Sequence, residues 1–303
     1  MSASESWKIT ALAPRATITA ALLAHEVALD WDPEIVLGGS EVAEDRPDDW
    51  RLEAWLPREP DVADLASFRA LFGGRSPKLK IEELPETDWV TASQAGMTPI
   101  RAGRFHVRTP EYPADPSAID VVIPASQAFG TGQHATTAGC LEMLDAMRAR
   151  GVIVRNLADV GTGTGLLAFA ALALWPRALG IASDIDPVCA GVVLDNAAAN
   201  QAPLGGGRGE LTMAIAAGLD HPLLEARGPY DLVIANILAA PLVELMPDFA
   251  RAMVPGGHLV LAGLLTTQER NVRRAGVRHG FRLAARLTRG DWSILWLRRR
   301  AAR

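Results

Sequence analysis

The sequence predicts an α/β protein in which a smaller domain precedes a doubly wound, seven-stranded sheet. Strand and helix signals alternate from about residue 120 to the C-terminus, which indicates mostly parallel βα units. The chain ends in two β runs around Arg289-Gly290-Asp291, which predicts a hairpin and therefore an antiparallel last strand. Before residue 90 the signals follow the order βαββαβ, which is typical of a ferredoxin-like domain.

The elements of the N-terminal domain follow from alternating apolar runs and the turn residues between them. They are a strand at Trp7–Ala13, a helix at Ala16–Leu29, strands at Glu34–Val42 and Trp50–Leu56, a helix at Asp61–Phe72 and a strand at Lys78–Leu84. Gly73-Gly74 ends the second helix. This part has no cysteine cluster and no Gly-rich phosphate loop, so we predict that residues 1–87 recognise a substrate rather than carry out chemistry.

Prolines are dense between the two predicted domains, at positions 85, 99, 110, 113 and 116. Segments rich in proline behave as semi-rigid spacers. The sequence therefore predicts a linker at residues 88–119, with a short hairpin at Ile100–Arg108 inside it, and a catalytic domain at residues 120–303.

The second domain carries strand and helix signals to its end. Its strands are predicted at Asp120–Ile123, Leu157–Val160, Ala178–Ser183, Glu210–Ile215, Tyr230–Ala235, His258–Ala262, Phe281–Leu287 and Ser293–Arg298. Its helices are predicted at Thr137–Arg150, Leu166–Trp175, Pro187–Asn200, Leu242–Met253 and Thr267–His279, with a turn at Pro255-Gly256-Gly257.

Charge is distributed unevenly along the chain. Residues 1–95 hold nine Lys+Arg and eighteen Asp+Glu, a net of −9, and the remainder has a net of +4. An acidic domain repels phosphates, so we expect a basic protein partner and no direct nucleic-acid binding. A solvated acidic surface without a partner is an equally simple explanation.

Other features of the composition exclude whole classes of protein. No apolar run reaches the ~18–20 residues of a membrane helix, and the start, MSASESWKIT, lacks the regions of a signal peptide. Cys140 and Cys189 have no partners at metal-ligand spacing, so we expect them to be buried apolar side chains. We therefore expect a cytoplasmic monomer that holds no metal and does not enter a membrane.

A glycine-rich loop, Gly161-Thr162-Gly163-Thr164-Gly165, follows one predicted strand and opens the next helix. Its glycines permit a tight turn and let a ligand approach the backbone. Asp184 ends the next predicted strand, where a carboxylate can accept hydrogen bonds from both ribose hydroxyls. Loop and acid together predict a nucleoside cofactor, with a tight turn and a capping Asp as the structural alternative.

Two features distinguish between nicotinamide dinucleotides and S-adenosylmethionine. The loop has the spacing GxGxG, with Leu166 where the dinucleotide pattern GxGxxG has its third glycine. A dinucleotide-binding sheet also ends in parallel strands, whereas this chain ends in a predicted hairpin. On both counts the sequence resembles the class I methyltransferases, which use S-adenosylmethionine.

The tetrapeptide Asn236-Ile237-Leu238-Ala239 follows the predicted strand Tyr230–Ala235. In class I enzymes that methylate nitrogen, an Asn/Asp-Pro-Pro-Tyr-like turn occupies this position. The resemblance implies that the side-chain oxygen of Asn236 accepts a hydrogen bond from an amine and orients its lone pair. A turn-forming Asn without a catalytic role is the alternative.

Four motifs occur in one order after the acidic domain: AFGTGQHATT at 128–137, DVGTGTG at 159–165, SDIDP at 183–187 and ANILA at 235–239. Together they resemble the ribosomal protein L11 methyltransferase (PrmA) family, from about Trp7 to the C-terminus. The sequence departs from that family at Ala135, where the family often has Pro, and within the glycine loop, where the family often has GCGSG.

The resemblance implies an enzyme that methylates lysine side chains and the N-terminal amine of ribosomal protein L11. It also implies S-adenosylmethionine as the cofactor, a covering loop at Phe129–Thr137, and Asn236 as the residue that orients the amine. His134 in that loop is a candidate general base, although a loop-anchoring hydrogen bond is the simpler role. The cofactor-binding residues implied are Phe129, Thr137, Gly161, Gly163, Asp184 and Asn236.

Two alternatives stay open at this point. The substrate could be another protein lysine, such as one on an electron-transfer flavoprotein subunit, although a separate recognition domain favours a dedicated ribosomal substrate. The chain could also be a nucleoside-binding regulator without turnover, although the joint presence of Asp184 and Asn236 argues against it.

Overall fold

The N-terminal unit forms one antiparallel sheet with two helices. Its elements are β1 (Ser6–Pro14), α1 (Arg15–Glu26), β2 (Val36–Glu41), β3 (Asp49–Leu56), α2 (Val62–Ala70) and β4 (Leu79–Leu84). The strands lie in the order β2-β3-β1-β4. In this computed structural model, the described residues are 6–26, 31–32, 35–42, 46, 48–74, 76–84, 98–124 and 135–301.

The six elements of this unit occur in the predicted order, because apolar side chains alternate along each strand. In β3, Leu52, Ala54 and Leu56 are buried, and they pack in one core with Phe68 of α2. Asp61 caps α2: its side chain accepts hydrogen bonds from the backbone N–H groups of Ala63 and Asp64 at 2.7 and 2.9 Å. The alternating apolar side chains of the strands thus form the core of this unit.

The chain divides into two units, Met1–Ala92 and Ser93–Arg303. The second unit begins with a small three-stranded sheet of β5 (Ile100–Ala102), β6 (Phe105–Arg108) and β7 (Ile119–Val122). β5 and β6 form the hairpin that the sequence predicts. Phe105 and Val107 are buried in the core of this unit. The described part of the predicted linker, 98–119, is thus a packed part of the second unit, because its apolar side chains outweigh its prolines.

A seven-stranded sheet dominates the second unit, in the order β10-β9-β8-β11-β12-β14-β13. The strands are β8 (Asn156–Val160), β9 (Leu179–Asp184), β10 (Leu211–Ile215), β11 (Tyr230–Asn236), β12 (Met253–Leu265), β13 (Phe281–Arg289) and β14 (Trp292–Arg299). The first five pair in parallel, and β14 is antiparallel to both of its neighbours. Gly290, with φ of 54°, makes the tight turn before β14. The predicted antiparallel last strand is confirmed.

Helices cover both faces of this sheet. They are α3 (Ala135–Ala149), α4 (Leu166–Leu174), α5 (Val188–Ala199), α6 (Pro222–Arg227), α7 (Ala239–Glu244), α8 (Met246–Ala252) and α9 (Glu269–Arg278). Within β11, Ile234 faces one core and Val233 faces the other. The sheet is therefore doubly wound, as predicted, and its carboxyl edge is open for a ligand.

Three details differ from the predicted elements. The single helix predicted at Leu242–Met253 is two helices, α7 and α8, because Pro247 lacks the N–H that a continuous helix requires. The predicted turn at Pro255-Gly256-Gly257 lies within the span of β12. The register of pairing with β11 shifts there, between Tyr230↔Met253 and Leu232↔His258. The short α6 has no counterpart in the prediction.

No helix in the described ranges has both the length and the apolar composition needed to cross a membrane.

Candidate functional site

The glycine loop after β8 depends on backbone conformations that favour glycine. Gly161, Gly163 and Gly165 have φ values of 69°, 54° and 82°. A Cβ atom on Gly161 would lie 2.3 Å from Cγ2 of Ile237, so the loop passes directly against the end of β11. The sequence prediction of a tight turn at this position is confirmed.

Hydrogen bonds attach this loop to the end of β9. The N–H groups of Gly161 and Thr162 donate to the carbonyl oxygen of Ser183, at 2.8 and 3.0 Å. The N–H of Gly163 donates to Oδ2 of Asp184 at 2.8 Å. The N–H of Asp186 donates to Oδ1 of Asp184 at 3.1 Å. Each carboxylate oxygen of Asp184 thus accepts one backbone bond and keeps capacity for another donor.

Asp159, at the end of β8, supports the loop from inside the protein. Its Oδ2 accepts from Oγ1 of Thr162 at 2.6 Å and from the N–H of Ala168 at 3.1 Å. Its Oδ1 is buried and has no hydrogen-bond partner among the described residues. Burial raises the pKa of Asp159 to about 7.

Asn236 lies at the end of β11 and is held by Thr137 of α3. Its Nδ2 donates to Oγ1 of Thr137 at 3.2 Å. Its Oδ1 is buried, and no donor in the part of the chain that the structure describes reaches it. A buried carbonyl oxygen without a partner is costly, so a ligand that donates a hydrogen bond to this atom would be stabilised.

These residues line one cavity of about 780 Å³ at the carboxyl edge of the sheet. Gly161, Gly163, Asp184 and Asn236, all predicted as site residues, lie on its wall. Thr137 is buried behind Asn236, and its neighbour Thr136 lines the cavity instead. The other lining residues are Val160, Ile185, Asp186, Cys189, Ala216, Ala217, Gly218, Ile237, Leu238, Pro241, Glu244, Leu245, Gly263 and Trp292.

The charge on the cavity wall has one sign. Asp184, Asp186 and Glu244 contribute carboxylates, and the lining includes no Lys, Arg or His among the described residues. Glu244 ends α7, where the helix dipole disfavours an anion. The surface is therefore suited to a cationic ligand, and its apolar side chains are suited to a flat ring.

Among the residues of this wall that sequence reasoning missed are Glu244, Gly263 and Trp292. Gly263, with φ of 81°, would place a Cβ 2.2 Å from the carbonyl oxygen of Ile237, so only glycine fits there. The glycine inside an apolar β run was a signal for such a close approach. Trp292 had no signal, because it lies in the final hairpin and reaches the cavity only through the pairing of β12 with β14.

Some predictions concern residues that the structure leaves undescribed. Phe129 and His134 lie outside the described residues, as does the covering loop up to residue 134.

Cys140 and Cys189 are buried free thiols, as predicted. Burial raises the pKa of Cys189 to about 12, and the nearby carboxylate of Asp184 adds to this shift.

The chemistry of the cavity follows from these parts. A carboxylate that keeps acceptor capacity suits a ribose, and a glycine loop permits close backbone contact. An unpartnered amide oxygen suits an N–H donor. The arrangement can therefore hold a nucleoside and bring an amine next to it.

Comparisons with known proteins agree with this chemistry. The profile of the family described as Ribosomal protein L11 methyltransferase (PrmA) matches residues 20–300 of the chain. A Ribosomal protein L11 methyltransferase from Caulobacter sp. (strain K31) is 40% identical over 255 residues, which cover 82% of this chain and 83% of the relative. One from Agrobacterium fabrum (strain C58 / ATCC 33970) is 37% identical over 275 residues, covering 88% and 90%.

A solved structure is similar as well. The crystal structure of a ribosomal protein L11 methylase from Lactobacillus delbrueckii subsp. bulgaricus has a TM-score of 0.55 and 27% sequence identity. The match covers 67% of this chain and the whole of that chain.

Proposed function

The chain belongs to the ribosomal protein L11 methyltransferase (PrmA) family, and from that premise we propose that it transfers methyl groups from S-adenosylmethionine to amines of ribosomal protein L11. The observation that carries this proposal is the buried, unpartnered Oδ1 of Asn236, a residue that lines the same cavity as the glycine loop and Asp184. A non-catalytic nucleoside site would need the carboxylate and the loop but not a second, buried acceptor.

The cavity fits S-adenosylmethionine in shape and charge. We assign the ribose hydroxyls to Asp184 and the methionine end to the backbone of Gly161–Gly165. When bound, the cofactor supplies an electrophilic methyl group on a sulfonium cation. The carboxylates of Asp184, Asp186 and Glu244 favour a ligand with net positive charge.

The target nitrogen must be a neutral amine, since a protonated one has no lone pair. Deprotonating a free lysine at pH 7 costs roughly 4.6 kcal/mol, and an α-amine costs about 1–1.4 kcal/mol. Burial and the adjacent sulfonium charge of the bound cofactor would lower the pKa of the amine, whereas the carboxylates of the wall act in the opposite direction. Asn236 then accepts one N–H of the neutral amine and directs its lone pair toward the methyl group.

Glu244 acts before the amine loses its proton, while the substrate is still an ammonium ion. It is exposed at the cavity wall, and no partner for it occurs among the described residues. A carboxylate in this position attracts a lysine ammonium toward the cavity before the proton leaves to solvent.

The N-terminal unit is the proposed substrate-recognition module. Its βαββαβ order and its strand order support a ferredoxin-like fold. The net charge of −9 over residues 1–95 suits a basic region of a protein substrate. We propose further that the loop around Phe129 covers the bound cofactor, and that the enzyme acts as a monomer in the cytoplasm, where its proposed substrate is made.

The test is a transfer assay with the full-length protein, labelled S-adenosylmethionine and purified ribosomal protein L11. We expect label on L11, at lysine side chains and at the N-terminal amine when the product is mapped by mass spectrometry. A cell lysate in a parallel reaction examines other protein lysines. If the protein binds the cofactor but labels another protein and leaves L11 unlabelled, the proposed substrate is wrong. If the protein binds the cofactor but labels no protein, the alternative of a nucleoside-binding regulator replaces this proposal.

A further inference from the structure

The outer face of α9 is a continuous arginine surface. Arg270, Arg273, Arg274 and Arg278 stand at the spacing i, i+3, i+4 and i+8, which places them on one side of the helix. All four are exposed, whereas Val272 on the opposite side is fully buried. The helix is thus anchored by its inner face and presents cations on its outer face.

This surface lines a groove that lies apart from the cofactor cavity. The groove has a volume of about 690 Å³ and is lined by Thr266, Glu269, Arg270, Arg273, Arg274, Val277, Arg278 and Arg286. None of these residues lines the cavity that contains Asp184 and Asn236. The groove is therefore a separate feature of the second unit.

The one carboxylate of the groove is already used. Glu269 is buried, and it accepts from Nη1 of Arg273 at 3.1 Å and from Nε of Arg286 at 2.6 Å. The hydroxyl of Ser293 also donates to it, at 2.8 Å. These bonds hold two guanidinium groups in place at the base of the groove.

The remaining arginines lack such compensation. No carboxylate in the described ranges lies within ion-pair distance of Arg270, Arg274 or Arg278. Like charges four residues apart on a helix repel, as Arg270 with Arg274 and Arg274 with Arg278 do. A sequence that opposes local stability in this way is typical of a binding surface, where a partner supplies the missing charge.

We propose that the arginine surface of α9 binds the phosphate backbone of RNA. The guanidinium fork matches phosphate oxygens in pairs, and a row of such groups along a groove can follow a strand. The expectation of no nucleic-acid contact came from the acidic residues 1–95, and α9 lies in the unit of opposite net charge. The chain would then bind a basic protein with one unit and RNA with the other. This inference does not depend on the proposed methyl transfer.

The experiment measures binding of a short fluorescent single-stranded RNA of mixed sequence to the full-length protein by anisotropy over a range of salt concentrations. The test variant is R270Q/R274Q/R278Q, and the matched control, R69Q/R148Q/R177Q, removes the same charge from exposed arginines elsewhere. Loss of three phosphate contacts should reduce the slope of log affinity against log salt by about 2, since each contact contributes about 0.7 for single strands. The control variant should keep the wild-type slope.

Three outcomes would overturn the proposal. The first is that the wild type binds no RNA, and the second is that the two variants lose equal amounts of RNA affinity. The third is that polyglutamate at matched charge displaces the RNA, which indicates an acidic protein partner instead.

Thermal unfolding checks that the test variant folds. Its Tm should equal or exceed that of the wild type, because Gln and Arg have similar helix propensities and repulsion between like charges is removed.

Discussion

Asn236 and Thr137 stand 99 positions apart in the chain, and a hydrogen bond of 3.2 Å joins their side chains. The bond holds the amide in place, and the hydroxyl of Thr137 accepts from its NH₂ end. Because Nδ2 donates to the hydroxyl of Thr137, Oδ1 is left as the free acceptor. In the proposed reaction the incoming amine requires an acceptor, and Thr137 of α3 is the residue that positions it on β11.

Replacing Asn236 by Ala should lower turnover more than it lowers cofactor affinity. The lost bond acts on the neutral amine as it approaches the methyl group, and a bond between neutral groups is worth about 0.5–1.5 kcal/mol, or roughly twofold to tenfold in rate. Steady-state kinetics and cofactor calorimetry on the same preparation separate the two effects. Asn271→Ala, which changes an exposed Asn on α9, is the control. Intact turnover with a raised KM for cofactor would make Asn236 a binding residue only.

Thr137→Val keeps the shape of the side chain and removes the hydroxyl that holds Asn236. We expect a fall in kcat with little change in cofactor affinity, because the amide is then free to turn its NH₂ toward the cavity. Thr137→Ser, which restores the hydroxyl, should recover activity. In a double-mutant cycle with Asn236→Ala, the two losses should not add, since both act through one atom. Additive losses would contradict this role.

Asp184→Ala should weaken S-adenosylmethionine binding by about 1.5–3 kcal/mol, because charge-assisted hydrogen bonds to the ribose are lost. The variant also frees the N–H of Gly163, so the loop loses one of its attachments to β9. Isothermal calorimetry measures the affinity directly. Asp195→Ala removes an exposed carboxylate on α5 and should leave the affinity unchanged. Equal affinities of Asp184→Ala and the wild type would rule out the assignment.

The sequence predicted the parts of the site that its local chemistry determines. Gly161, Gly163 and Asp184, which line the cavity, were predicted as site residues because a glycine loop and an acid at the ends of adjacent strands have a recognisable spacing. Glu244 and Trp292 were not found, because each reaches the cavity through long-range packing that no local pattern encodes. Thr137 was predicted as a cofactor contact from resemblance, and its bond to Asn236 was visible only in three dimensions.

The same distinction holds for the fold. Period-two and helical patterns located the seven strands and the final hairpin, since those signals are local. The proline-rich segment 88–119 was predicted as a linker, although Phe105 and Val107, in its described part, are buried in the second unit. The proline content of the segment indicated a solvent-exposed linker, but the packing of a few of its apolar residues in the core outweighed that signal.

Glu244→Gln should raise the KM for the protein substrate and leave cofactor affinity nearly unchanged. Loss of one exposed charge weakens attraction of a lysine ammonium by up to about 1 kcal/mol, or about fivefold. The effect should shrink as salt is added, because exposed charges are screened. Glu225→Gln, an exposed change on α6, is the matched control. A salt-independent effect, or an equal effect in the control, would contradict electrostatic capture.

The last prediction concerns the pH dependence of stability and its origin in Asp159. Burial raises the pKa of this carboxyl from 3.8 to about 7, although bonds from Thr162 and Ala168 act in the opposite direction. The folded protein therefore holds a proton that the unfolded chain has already released above about pH 4. The stability that this group contributes is complete below the unfolded pKa, and it is lost as the pH rises through the folded pKa.

Asp159→Asn removes this titration and keeps the shape of the side chain. The wild type loses stability between about pH 4 and about pH 7.5, and the variant does not. The free energy of unfolding of the variant minus that of the wild type should therefore rise by a few kcal/mol over this range. A tenfold difference in proton affinity between the folded and unfolded protein corresponds to about 1.4 kcal/mol. Urea unfolding at several pH values measures the difference. Asp195→Asn, at an exposed position, should give a difference that does not change with pH. If the Asp159→Asn difference is equally flat, the carboxyl is ionised in the folded protein throughout this range, and the raised pKa is wrong.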